Sequence, residues 1–143
     1  MQVKIKKLIE DAVIPSYAKP GDAGMDLIAT GFKVAPDYTE YYTGLSIEIP
    51  KGYVGLIFPR SSISVKDLIL ANSVGVIDSG YRGEISVRFK KIANYGEVPV
   101  LDYSFGDKIA QLVILPYPTI EFIETDELSS TERGEGGFGH TNA

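Results

Sequence analysis

A period of two, cut into short pieces, constrains this chain more than any other feature. Val3, Ile5 and Leu8 alternate with polar residues, as do Leu45, Ile47 and Ile49. Val54, Leu56 and Phe58 follow, then Ile85, Val87 and Phe89 against Ser86, Arg88 and Lys90. Successive side chains of a strand point to opposite faces, so each run predicts a half-buried strand. Residues 108–115 are apolar on both faces except at Gln111, which predicts a central, fully covered strand. Residues 120–123 predict one more short strand. Helical pattern is scarce. Residues 61–70 predict a helix of about one and a half turns, capped by Ser61 or Ser62.

Turn residues recur between these runs, at Pro20-Gly21, Pro36-Asp37, Pro50-Lys51-Gly52, Ser79-Gly80 and Phe105-Gly106-Asp107. Many short strands at that spacing predict an all-β sandwich or jelly-roll-like barrel with one short helix. A chain of 143 residues without an internal linker is expected to form a single domain. The core is expected over about residues 1–128 and a mobile glycine-rich arm over about 129–143, where the pattern gives way to Ser, Thr, Glu and Gly.

Composition removes several chemistries. The chain has no cysteine and one histidine, which excludes thiol nucleophiles, disulfides and a multi-histidine metal site within one chain. A net charge of −5 argues against a nucleic-acid surface. No apolar run approaches the ~20 residues of a membrane span. The N-terminus alternates instead of forming a signal peptide's apolar stretch. A cytoplasmic protein without membrane contact is the expectation.

Five stretches look wrong for plain strand or turn. The first, residues 20–27, places two glycines and two acids, Asp22 and Asp26, at the entrance of a strand. In the second, a strand runs into Arg60, Ser61 and Ser62, where a guanidinium and hydroxyls suit an anion. The third, residues 72–85, reads as a hairpin. Its Asp78 follows the apolar pair Val76-Ile77 as if ending a buried strand, and can serve as a general base. Its Tyr81 offers a flat face to a sugar or base. In the fourth, residues 106–112, Gln111 inside an apolar strand needs a partner, either a ligand oxygen or a neighbouring strand. The fifth, residues 133–141, fits G-x-G-x-x-G, but too few residues follow for the helix that a dinucleotide site requires. It reads instead as a tail able to close over a ligand, with Arg133 pairing an anion and Phe138 stacking.

The order and spacing of these five stretches resemble the trimeric deoxyuridine triphosphatase (dUTPase) family across nearly the whole chain. The resemblance implies a jelly-roll-like homotrimer with sites shared between subunits. It implies hydrolysis of dUTP to dUMP and pyrophosphate with Mg²⁺, which limits uracil entry into DNA and supplies dUMP for dTMP synthesis. By resemblance, Asp78 activates the water that attacks the α-phosphorus, and Asp26 lies by the catalytic water and metal cluster. Tyr81 packs under the deoxyribose and leaves no room for a 2′-hydroxyl. Backbone from Gly75 through Val76 and Ile77 to Gly83, with the Asn72 side chain, reads uracil. Arg60, Ser61, Ser62, Lys108 and Gln111 seat the phosphates. Arg133, Gly137, Phe138, Gly139, His140 and Thr141 cover the triphosphate, with Phe138 stacked on uracil. Mg²⁺ is expected through substrate phosphates and waters, with no dedicated protein cage. Ten of the 15 glycines fall in the five stretches and read as backbone kept bare for close approach to a nucleotide.

Two positions depart from the family pattern. His140 stands where serine is usual, and Lys108 where arginine also occurs, which replaces a bidentate contact by a point charge. Two other readings compete. A dCTP deaminase needs a glutamate where this chain has Arg88, which cannot take a proton near neutral pH. A binding module with lost catalysis conflicts with the survival of all five stretches. Tyr38, Tyr41 and Tyr42 beside Asp37 and Glu40 read either as an added protein-binding surface or, more plainly, as an exposed edge strand.

Overall fold

The computed structural model describes residues 1–92 and 103–137. Among these described residues ten strands form: β1 (Lys4–Lys7), β2 (Met25–Ile28), β3 (Gly31–Val34), β4 (Thr39–Tyr42), β5 (Leu45–Glu48), β6 (Tyr53–Pro59), β7 (Leu68–Leu70), β8 (Gly75–Ile77), β9 (Ser86–Lys91) and β10 (Lys108–Pro116). Two four-stranded sheets run in the orders β2-β10-β6-β8 and β3-β4-β9-β7, with a two-stranded sheet of β1 and β5. Every pairing is antiparallel. The fold is all-β and jelly-roll-like, as the alternation and turn spacing predict.

The core sits between the sheets. Leu27, Leu45, Ile57, Val87, Phe89 and Leu112 are among its buried members. Tyr41 packs edge-on against Phe89, ring centroids 6.0 Å apart. Each such side chain removed from water contributes about 1.5–3 kcal/mol. The predicted inward set Ile85, Val87 and Phe89 is buried as expected. β10 is central, between β2 and β6. A register shift between Lys108 and Ala110 breaks its alternation, which lets both Ile109 and Ala110 face inward. Its far end is not covered, since Leu115 is exposed.

Several expectations fail for physical reasons. On β6 the buried residues are Gly55 and Ile57, while Val54, Leu56 and Phe58 are only half-buried. Both faces of that strand are apolar, so hydropathy alone leaves the phase open, and pairing with β10 decides it. The helix expected over 61–70 is a 3-10 turn at Ser61–Val65, and Leu68–Leu70 joins a sheet. Neither serine caps the turn. Residues 72–85 are not a paired hairpin, because β8 belongs to one sheet and β9 to the other. Residues 120–123 form no strand, and Ile120, Phe122 and Ile123 are exposed. Tyr41 is buried in the core and β4 is an interior strand, so the tyrosine surface expected around Tyr38 and Tyr42 does not include it. No helix among the described residues is long and apolar enough to cross a membrane.

Candidate active site

Two groups of predicted residues form, at opposite ends of β6. The first gathers where β2, β6 and β10 run side by side. Gln111 of β10 lies opposite Asp26 of β2 and Phe58 of β6. Arg60 follows directly on β6 in extended conformation. Its Nε donates to Asp26 Oδ1 at 2.9 Å, and Lys108 Nζ lies 2.8 Å from Asp26 Oδ2. One carboxylate thus holds two cations, leaving a local excess of one positive charge. Burial pushes the Asp26 carboxyl up, but the Lys108 hydrogen bond and the Arg60 charge outweigh it and hold it below the ordinary carboxylate range.

Gln111 finds the neighbouring-strand partner, donating from Nε2 to the Pro59 carbonyl at 3.2 Å. Its Oε1 packs against Gly24, where any Cβ would collide with it. Ser61 and Ser62 are exposed beside Arg60 with no cap bond to occupy their hydroxyls. Arginine, lysine, an amide and two hydroxyls therefore converge on one surface, a donor set that suits a polyanion.

The second group surrounds β8. Because Ile77 pairs with Gly55, Asp78 falls at the Tyr53 end of β6. Asp78 is exposed, so it does not end a buried strand; β8 is an edge strand with Val76 60% exposed. Asp78 and Ser79 line a hollow of 250 Å³ with Tyr53, Val54 and Tyr117. The following loop is tied down closely. Arg82 Nη1 donates to the carbonyls of Ser79 and Tyr81 at 2.8 and 2.7 Å. Ser46 Oγ donates to the Arg82 carbonyl, and Thr43 Oγ1 to that of Ile85. Tyr81 Oη donates to the Glu84 carbonyl at 3.0 Å, laying its ring across Gly83, where a Cβ would overlap the ring.

Between β8 and β9 runs a groove of 360 Å³, lined by Ile57, Leu70, Ala71, Asn72, Gly75, Ser86, Val87 and Arg88. Both flanking strands present open edges to it. Among the described residues β8 pairs only with β6. β7 supports β9 only from Phe89 onward, with Ala71 N–H donating to the Arg88 carbonyl. Backbone donors and acceptors of both strands thus face a slot, beside the Asn72 amide.

Sequence reasoning did not bring Ser86, Arg88 and Glu40 together: Ser86 and Arg88 line the groove, and Glu40 bonds to both from outside its lining. The β4–β9 pairing that joins them is long-range and leaves no local signal. Of the predicted tail residues, the described Arg133 and Gly137 are not brought to either group. Arg133 Nε donates to the Gly136 carbonyl in its own segment, and Gly137 has open space around it. Phe138, Gly139, His140 and Thr141 lie outside the described residues.

Residues 10–142 match the dUTPase family. The deoxyuridine 5'-triphosphate nucleotidohydrolase of Gloeobacter violaceus is 43% identical over 97% of this chain and 95% of its own. That of Thermobifida fusca is 42% identical over 99% of this chain and 79% of its own. Among solved structures, a mutant Staphylococcus bacteriophage 80alpha dUTPase with dUpNHpp superposes with a TM-score of 0.85 at 28% identity, covering 99% of each chain. A mutant dUTPase from phage phi11 of S. aureus, described with a structural Mg(II) ion, gives 0.74 at 30% identity over 89% of this chain and 98% of its own. Over nearly its whole length, then, this chain is a member of the dUTPase family.

Proposed function

We propose that this chain, a dUTP diphosphatase by family, hydrolyses dUTP to dUMP and pyrophosphate with Asp78 as the base. The observation that carries the reading is the slot between the open edges of β8 and β9, with an exposed carboxylate just past the end of β8. The pairing edge of uracil alternates acceptor, donor and acceptor. Free strand edges and the Asn72 amide supply complementary groups. Tyr81, its ring fixed across Gly83, lies under the deoxyribose and excludes a 2′-hydroxyl. Asp78 takes a proton from water as the water oxygen attacks the α-phosphorus in line. The bond from that phosphorus to the bridging oxygen breaks, and pyrophosphate leaves with the electron pair.

The phosphates are seated by Arg60, Ser61, Ser62, Lys108 and Gln111 of a second copy. Gly55 pairs with Ile77, so Arg60 lies six residues of β6 beyond the Val54 that adjoins Asp78. At about 3.3 Å per residue that separation is roughly 20 Å. The outer face of β6 and β10 supports assembly. Val54 lies opposite Leu115 and Leu56 opposite Val113, in an apolar stripe that is half-buried to exposed. Three copies, with Arg133 and residues 136–141 closing over the triphosphate, is the arrangement that the family resemblance implies.

Mg²⁺ fits this site through the substrate. Both Asp26 oxygens already serve Arg60 and Lys108. Among the described residues no three acidic or histidine side chains converge as ligands. A Mg²⁺ ion would be held by triphosphate oxygens and waters and would need few protein ligands. When bound, it neutralises phosphate charge. In a cytoplasmic setting the reaction limits uracil entry into DNA and supplies dUMP for dTMP synthesis.

The test is pyrophosphate release from dUTP, dCTP, dTTP and UTP measured side by side with Mg²⁺. Turnover confined to dUTP is the expected result. Equal rates on UTP would overturn the Tyr81 assignment, and release from none of the four would overturn the function.

A further inference from the structure

The groove between β8 and β9 has a second wall, and it is held from behind by a residue that does not line it. Val87 points into the core, so the flanking side chains of Ser86 and Arg88 project from the opposite face of their sheet. There they meet Glu40 of β4, which the register places opposite Arg88. Ser86 Oγ donates to Glu40 Oε1 at 2.7 Å. Arg88 Nε lies 3.3 Å from the same oxygen, and Nη2 is 3.4 Å from Oε2. The Tyr38 ring lies 4.7 Å beneath the guanidinium. The Glu40 side chain is only 12% exposed and both of its oxygens are engaged. The Ser86 hydrogen bond, with burial opposing it and Arg88 adding to it, holds the Glu40 carboxyl below the ordinary range.

This arrangement sits where β9 has least support. β7 pairs with Phe89, Lys90 and Lys91 but not with Ser86 or Val87, the stretch that lines the groove. There, among the described residues, β9 is paired only from the β4 side, with Tyr42 opposite Ser86 and Tyr41 opposite Val87. A half-buried, doubly engaged carboxylate fixes side-chain and strand position more firmly than a fully exposed ion pair does.

We propose that Glu40 is a positioning residue for base recognition. Through Ser86 and Arg88 it holds the free edge of β9 at the spacing from β8 that admits a uracil ring. It thereby sets selectivity among pyrimidine deoxynucleoside triphosphates without touching the substrate. This rests on the uracil reading of the groove. A purely structural ion pair would change stability alone.

The experiment compares the wild-type chain, Glu40→Ala and Glu40→Gln for kcat and KM on dUTP, dCTP and dTTP, with a thermal melt of each. Glu40→Ala removes both ties and is expected to raise KM for dUTP about tenfold or more, as loss of a charge-assisted hydrogen bond suggests. Its kcat stays within about twofold of wild type, since the reacting groups are untouched. The kcat/KM preference for dUTP over dTTP falls in parallel. Glu40→Gln still accepts from Ser86 and is expected to recover much of the KM and the selectivity. Should Glu40→Ala not fold, Ser86→Ala, which removes the shorter tie, carries the same KM and selectivity readout. Wild-type KM and selectivity in these variants, with only a lowered melting temperature, would overturn the proposal. Absence of dUTP turnover in the wild type would instead overturn the functional reading on which it rests.

Discussion

Asp78 and Arg60 flank opposite ends of one strand pair. β8 runs antiparallel to β6, so the residue following β8 meets the start of β6, while Arg60 follows its end. The base and the phosphate seat of the proposed reaction therefore stand apart in a single chain, and the predictions below follow from that separation.

Asp78→Asn keeps the size of the side chain and removes its capacity to accept a proton. Turnover of dUTP is expected to fall about 10²–10⁴-fold, the usual worth of a general base. Binding of a non-hydrolysable dUTP analogue, followed by calorimetry, is expected to stay near the wild-type value. Near-normal turnover would remove Asp78 from the role.

Asp26 links two cations and titrates below its ordinary value when folded. A carboxyl with a depressed folded pKa stabilises the fold at all pH above its unfolded value of about 3.9, and that contribution is lost as pH falls through the folded value. Wild type is therefore expected to lose more melting temperature than Asp26→Asn between pH 7 and pH 3. The difference is modest, because the side chain is partly exposed. Parallel melting curves for the two proteins would contradict this.

Gly83→Ala places a methyl group in the Tyr81 ring. The ring must move, and with it the surface that excludes a 2′-hydroxyl. The preference for dUTP over UTP is expected to fall about 10–100-fold, in the range that rejecting one hydroxyl by shape provides. Tyr81→Ala is expected to give the same loss. Unchanged discrimination in both variants would detach Tyr81 from sugar selection.

Deleting residues 130–143 is expected to reduce dUTP turnover about 100-fold or more while leaving the thermal transition in place. The exposed residues 118–137 make their hydrogen bonds among themselves, so the two sheets do not depend on them. A deletion that abolished the transition would make the tail part of the fold.

Much of this was legible in the sequence, and the failures share a cause. Alternation placed Ile85, Val87 and Phe89 inward because Ser86 and Arg88 are polar enough to mark the other face. It misplaced β6 because Val54, Leu56 and Phe58 are as apolar as Ile57, and the two faces differ only in which meets the second sheet. Gly75 and Gly83 read as backbone bared for a ligand. Yet a Cβ at Gly75 would press on Ile57 at 3.0 Å, and one at Gly83 would strike Tyr81, so both are also required by the chain's own packing. Gln111 was visible as a polar residue needing a partner, and a neighbouring strand supplies it. The Glu40–Ser86–Arg88 contacts depend on strands 46 and 48 residues apart and could not be read locally.

The central claim is that one site takes Asp78 from one chain and Arg60 from another. It is tested most directly by co-expressing differently tagged Asp78→Asn and Arg60→Ala chains and isolating oligomers that contain both. Each variant alone is expected to be nearly inactive. Mixed oligomers are expected to regain up to roughly a third of wild-type dUTP turnover, since in a ring of three that contains both chains one interface joins an intact Asp78 to an intact Arg60. Mixed oligomers as inactive as either parent would contradict the claim and return both residues to a single chain's site.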